Sequence, residues 1–239
     1  MIWVELHLLK KAIGFFEQYK QINEDACTAN PESEDLKNGL GISYSKLGSI
    51  FQAQGKMEEA LTFFEKDLKL TEELYAANPR SESLKNGLAI SYSKLGSICQ
   101  AQGKMEEALS FFEKHAVLFE ELHTANPGSE NLKTGLAISY FKLGETFQAQ
   151  DKMDEALSFF EKNRQFNEEL YAANPARADL WYGLATSYIW IGHIHRKTGH
   201  SELAFPYFQK ALPLLEQLCE RTPIPEYLNQ LEWVREALN

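Results

Sequence analysis

The chain has 239 residues, 44% of them hydrophobic and 24% charged, with a formal net charge of −10 at pH 7. That is the balance of a soluble globular protein. The negative sign repels phosphate backbones and anionic lipids, so nucleic-acid and membrane roles are set aside. No run approaches 18 apolar residues, the length a spanning helix needs.

The opening stretch MIWVELHLLKKAIGFF is broken by Glu5, His7, Lys10 and Lys11 and is followed by no small-residue cleavage site, so it does not read as a secretory signal. Cys27, Cys99 and Cys219 are odd in number and fall on helical faces. They are expected as reduced thiols in a cytoplasmic protein, not as a disulfide framework.

What organises the chain is a repeat. Asn-Pro stands at Asn30–Pro31, Asn78–Pro79, Asn126–Pro127 and Asn174–Pro175, a step of 48 residues each time. Residues 1–30 align with the second half of a unit alone, Ala12, Phe15 and Phe16 matching Ala60, Phe63 and Phe64. Such a half repeat leaves an apolar face uncovered, so it is read as the cut edge of a longer protein or as a natural cap. Four units follow, 31–78, 79–126, 127–174 and 175–222. The first two agree at 37 of 48 positions, the next pair at 32, and the last pair at only 13. Residues 223–239 look like one more first helix, with Leu228, Leu231 and Trp233 facing in as a cap. With no linker or compositional break, 1–239 reads as a single domain.

Inside each unit, a first helix of roughly Ser81–Gln102 and a second of roughly Met105–Ala125 are predicted. Gly103 between them suits a left-handed turn residue, and Asp151 takes that place one unit on, a residue that tolerates such angles. Gly96 allows close approach of the two helices, while Ala108 and Phe112 share one face of the second. Gly39, Gly87, Gly135 and Gly183 recur in mid-helix, where a glycine costs roughly 1 kcal/mol against Ala, so close backbone packing is expected at all four.

The spacing Tyr92-x2-Leu95-Gly96-x2-Cys99, then Ala108-x3-Phe112, then Pro127, resembles the tetratricopeptide repeat, TPR. The frame holds at Tyr44, Leu47, Gly48, Phe51, Ala60 and Phe64, at Tyr140, Leu143, Gly144, Phe147, Ala156 and Phe160, and at Tyr188, Gly192, Ala204 and Phe208. The usual repeat has about 34 residues, and the excess here amounts to about four helical turns shared between two helices. The resemblance implies an all-α fold: a right-handed superhelical solenoid of antiparallel helix pairs, about ten helices in all, with long arms. Long-armed arrays of this kind resemble those attached to bacterial signalling or effector domains.

Chemistry has little to work with. The Glu-Glu pairs at Glu58–Glu59, Glu72–Glu73, Glu106–Glu107 and Glu120–Glu121 read as a solvated outer face. His193 and His195, two apart on a helix, point away from each other, so they, His200 and Cys219 make a poor metal set. No phosphate loop precedes a helix, and no nucleophile has a base beside it in sequence. No enzyme activity, cofactor or metal is expected.

The resemblance further implies that first helices line a groove. Stripes at spacings of seven, four and three place Asn38, Ser45, Ser49 and Gln52 there, then Asn86, Ser93, Ser97 and Gln100, then Thr134, Phe141, Glu145 and Gln148, then Tyr182, Ile189, His193 and Arg196. The first two stripes are small and hydrogen-bonding, suited to the backbone of an extended peptide. The last two are larger and would supply an apolar anchor pocket at Phe141, Tyr182 and Ile189. Equally, small polar residues fill a consensus where nothing binds, and terminal repeats diverge because they cap. Some family members clamp the C-terminal carboxylate of chaperones with Lys and Asn. Ser45 and Ser49 stand where that clamp needs them, and Lys94 and Lys142 lack those partners. Expected instead is a scaffold whose concave groove holds a peptide or helix of a partner protein. The rivals are self-assembly through the N-terminal half repeat and a sensor arm of a larger bacterial signalling or effector protein. Glu145 and His193, equivalent in neighbouring units, are expected close together, with Arg196 opposing the carboxylate's pull on the imidazole.

Overall fold

The computed structural model describes residues 2–239, with side chains from residue 11 onward. Ten α-helices, and no strand among the described residues, run in order: α1 (Ile2–Ala29), α2 (Glu34–Ala53), α3 (Met57–Ala77), α4 (Glu82–Ala101), α5 (Met105–Ala125), α6 (Glu130–Ala149), α7 (Met153–Ala173), α8 (Ala178–Lys197), α9 (Ser201–Arg221) and α10 (Pro225–Leu238). The fold is all-α, with well over two-thirds of the residues helical. First helices α2, α4, α6 and α8 are 20 residues long and second helices α3, α5, α7 and α9 are 21.

Local sequence sets the helix ends. Ser33, Ser81 and Ser129 are extended, and their hydroxyls accept from the amides of Leu36, Leu84 and Leu132, so they cap the helices from outside. Arg177 holds that place before α8 without a side-chain cap. The turns between paired helices rest on left-handed residues: Gly55, Gly103 and Gly199, and Asp151 with φ 61°.

Two compact units form, Met1–Leu118 and Phe119–Asn239. In the first, α2 packs on α1 and on α3, and α3 on α4; in the second, α6 packs on α7, α7 on α8, α8 on α9 and α9 on α10. The pairing rests on a glycine against a ring. A Cβ on Gly48, Gly96, Gly144 or Gly192 would lie 2.5–2.7 Å from the ring of Phe64, Phe112, Phe160 or Phe208, all four rings buried beside Ala60, Ala108, Ala156 and Ala204. Only glycine admits so close an approach.

Each frame tyrosine ties its helix to the preceding second helix. The hydroxyls of Tyr44, Tyr92, Tyr140 and Tyr188 donate to Glu24, Glu72, Glu120 and Glu168 at 2.8–3.0 Å. Burial, then the carboxylate partner, raises each phenol's pKa, that of Tyr92 to about 12. All eight residues of the Glu-Glu pairs are exposed, as expected, and Glu72 and Glu120 in addition accept from a frame tyrosine.

Two expectations are corrected. Close packing holds at three of the four mid-helix glycines: Gly39 faces Asn23, Gly135 faces the ring of Phe119, and Gly183 faces Asn167, but Gly87 has nothing within 4 Å. In α10, Leu231 is buried and Trp233 packs against the core, while Leu228 is exposed. Its counterpart one unit earlier, Leu180, is buried.

Candidate interaction face

The first helices α2 and α4 present the expected small polar stripes. Asn38 is exposed, and Ser45, Ser49, Gln52, Asn86, Ser93, Ser97 and Gln100 are half-buried. Part of their hydrogen-bonding capacity is already used. Ser49 and Ser97 donate to the carbonyls of Ser45 and Ser93 at 2.9 and 3.0 Å. Lys94 of α4 reaches across to α2, where its ammonium donates to Ser45 Oγ at 2.6 Å and Ser49 Oγ at 3.3 Å. The stripe therefore offers mainly acceptor lone pairs, plus the amides of Asn38, Asn86, Gln52 and Gln100.

The stripes of α6 and α8 differ in kind. Thr134 is exposed and donates to the Glu130 carbonyl, and Gln148 is half-buried. Phe141 is half-buried, its ring 5.8 Å from Phe160 and 6.0 Å from Trp190. Glu145 pairs with Lys142 on its own helix at 2.9 Å. Tyr182 is partly covered by α10: it packs on Tyr227, donates to Glu226 and accepts from Gln230. Ile189 lines a cavity of about 190 Å³ with Trp190, His193 and Trp233. Arg196 is exposed, its guanidinium 4.9 Å from the centre of the Trp233 ring.

His193 lies among Trp190 and Trp233. Burial, then Arg196 and Lys197, lowers its pKa, so the ring is neutral at pH 7. The expected pull of Glu145 is absent from that balance, and its carboxylate pairs with Lys142. His195 stacks on Tyr207, and burial lowers its pKa as well. Among the described residues no group of three or more His, Cys, Asp or Glu is placed to hold a metal ion, and no helix is long and apolar enough to cross a membrane.

Sequence reasoning missed one feature of this face. Ile42, Ile90 and Ile138 occupy one position in α2, α4 and α6 and are 46, 42 and 48% exposed. Each lies four residues after Asn38, Asn86 or Thr134, on the same stripe. At the matching place α8 has Thr186. The signal was present as the recurring Ile-Ser-Tyr triplets at 42–44, 90–92 and 138–140, but isoleucine at helical spacing reads as core.

A family model described as tetratricopeptide repeat matches residues 39–114 and, one unit on, 87–162; a second of the same description matches 185–214. The chain belongs to the tetratricopeptide repeat family. Its fold is similar to that of BtubC (BKLC) from P. vanneervenii, at 18% identity, TM-score 0.68, and coverage of 96% of this chain and 84% of that one. It is also similar to a Podosopora anserina putative kinesin light chain with nearly identical TPR-like repeats, at 15% identity, TM-score 0.62 and 91% of each chain. MamA matches at 20% identity and TM-score 0.54 over 88% of this chain and 95% of that one. Comparison with curated proteins gives no match. At these identities the likeness is one of fold. The TPR array itself is an interaction scaffold, typically without catalysis.

Proposed function

We propose that this TPR chain is a non-catalytic module that seats a peptide or helix of a partner protein on its first-helix faces. The recurrence of Ile42, Ile90 and Ile138, exposed and in register, carries the reading. A single exposed isoleucine needs no explanation. Ile42 and Ile90 in the first unit, and Ile138 at the same repeat position in the second, are each flanked by polar side chains, the mixed composition that partners bury. Asn38, Ser45, Ser49, Gln52, Asn86, Ser93, Ser97 and Gln100 supply polar contacts in this reading, and Phe141, Glu145, Gln148, Tyr182, Ile189, His193 and Arg196 a larger, aromatic seat. A random peptide library displayed on phage and panned against the whole chain tests it. Selected peptides should bind an Ile42→Asp, Ile90→Asp double variant at least about tenfold more weakly. Unchanged affinity in that variant removes the face from consideration.

One observation favours a second reading, self-association. On α1, Phe15, Tyr19 and Ile22 are exposed at spacings of four and three, with Phe15 and Tyr19 stacked. Sedimentation over a wide concentration range should then show growth in size, abolished by Phe15→Glu with Ile22→Glu. A constant sedimentation coefficient sinks this reading and leaves the first intact.

A further inference from the structure

The open space at Gly87 has a defined cause. The residue sixteen positions earlier, on the preceding second helix, fills the matching place at the other glycines: Asn23 at Gly39, Phe119 at Gly135, Asn167 at Gly183. At Gly87 that residue is Thr71, too short to reach. What remains is a cavity of about 160 Å³ between α2 and α4, with α3 as its floor; Ile42, Ser45, Asp67, Thr71, Ile90 and Ser91 are among its lining residues.

Asp67 distinguishes this cavity. It is 4% exposed, and its counterparts on α1, α5, α7 and α9 are Tyr19, His115, Asn163 and Ala211. Ser91 donates to Oδ2 at 2.9 Å. Oδ1 lies against Gly41, 3.2 Å from where a Cβ would stand. Lys94 is the cation of the neighbourhood, but its ammonium is committed to the hydroxyls of Ser45 and Ser49. Burial of the carboxylate raises its pKa, against the opposing pull of Ser91, Lys94 and Ser45. The cavity thus holds a desolvated acid at its base and two exposed isoleucines, Ile42 and Ile90, at its walls.

We propose that this cavity is a recognition pocket for a basic side chain, lysine or arginine, of a partner segment lying across α2 and α4. A buried carboxylate has lost its hydration, and a cation entering the pocket replaces it. Asp67 supplies the counter-charge, Ser45 and Thr71 supply further acceptors, and Ile42 and Ile90 flank the aliphatic stem, the way lysine and arginine stems bury against apolar surface. The net charge of −10 steers a basic segment toward the chain. The pocket rests on the first-helix face being a docking surface, but it can be tested with no partner present.

The test is a titration of the whole ¹⁵N-labelled chain with n-butylammonium and n-butylguanidinium chlorides, followed through the backbone amides of Gly41, Gly87 and Ser91. Butyramide serves as the neutral control and sodium butyrate as the anionic one. The two cations should give saturable shifts at these amides and the controls none. Asp67→Asn, which keeps the shape and removes the charge, should weaken the response about tenfold or more, as loss of a charged hydrogen-bond partner does. Thr71→Asn, which imports the side chain that closes two of the three matching junctions, should abolish it with the melting transition retained. Should Asp67→Asn fail to fold, Thr71→Asn decides alone. No shift with either cation, equal shifts with butyramide, or a response that survives both substitutions overturns the pocket. Loss of library peptides in the isoleucine double variant is a separate result, so the wider reading and the pocket fail independently.

Discussion

The α3–α4 junction and the α7–α8 junction have the same serine and the same glycine on the first helix, yet one is open and the other closed. At α7–α8, Asn167 Nδ2 donates to Ser187 Oγ at 2.8 Å, Ser187 donates to Asn163 Oδ1 at 2.7 Å, and Asn163 Nδ2 donates to the Ala137 carbonyl at 2.7 Å. At α3–α4 the corresponding residues are Thr71, Ser91 and Asp67, and the space at Gly87 is unfilled. At α9–α10 the pair becomes Ala211 and Leu215, with Leu231 where the glycine stood, and the junction is apolar. Two positions on the second helix therefore individualise the α3–α4 and α7–α8 junctions, whose first helices share the serine and the glycine. The outer side shows the same logic. Phe166 packs on Tyr140 and His123 in the second unit. Its counterpart Leu118 leaves a cavity of about 580 Å³ beside Tyr92, Leu88 and Val117 in the first.

If one position carries this individuality, its titrating members should respond to acid with opposite signs. His115 is buried, and burial pushes its pKa down to about 4 from an ordinary 6.5. The folded state prefers the neutral ring, so this contribution is fully present above pH 6.5 and lost as pH falls from 6.5 toward 4; its size is on the order of 3 kcal/mol. His115→Asn, which takes the solution used at Asn163, should flatten the urea-melt stability across that range. Asp67 acts the other way. Its raised pKa means that ionisation opposes folding, so Asp67→Asn should melt higher at pH 7 and lose that advantage as pH falls toward 3.8. A parallel acid response in the two variants would break the comparison.

The glycines sharpen it next. Gly135→Ala drives a methyl into the Phe119 ring, and overpacking of this sort costs about 1–3 kcal/mol. Gly87→Ala meets open space and should gain up to about 1 kcal/mol from helix propensity. Denaturant midpoints should move in opposite directions. Two losses of equal size would mean that the α3–α4 junction is closed after all.

The repeat, the left-handed turns at Gly103 and Asp151, and the glycine–phenylalanine approach at Gly96 and Phe112 were legible because each depends on residues close in sequence or repeated in register. The state of Gly87 was not, because it is set by Thr71 on another helix, and a glycine carries no record of what faces it. Ile42, Ile90 and Ile138 were hidden by their own hydrophobicity. That the exposed Glu72 and Glu120 also accept from tyrosines was not legible, because those partners stand twenty residues on. The stripes on α2, α4, α6 and α8 were placed from helical spacing, but which polar groups on them are already spent, as Ser49 and Ser97 are, depends on rotamers that spacing does not encode.

The smallest expected effect belongs to Arg196, at the aromatic end of the second unit. Its guanidinium lies 4.9 Å from the Trp233 ring centre and 5.9 Å from that of Phe208, and the residue is exposed. A cation–π contact at an exposed site contributes about 0.5–1 kcal/mol, so Arg196→Ala should lower the melting temperature by no more than about 2–4 °C. The same change should raise the His193 pKa, because burial holds that pKa down first and the Arg196 charge second. The histidine Cε1 proton, followed by NMR through pH 5–8, reads it directly. It also separates two roles for the aromatic seat. If Arg196 only caps Trp233, peptides selected on the whole chain should bind Arg196→Ala as they bind wild type. If the cavity of Ile189, Trp190, His193 and Trp233 receives an apolar anchor beside an acidic group, both Arg196→Ala and Phe141→Ala should weaken those peptides, while Ser45→Ala and Ser93→Ala should not. The reverse pattern would move the seat to the first unit, where the serines and the Asp67 cavity lie.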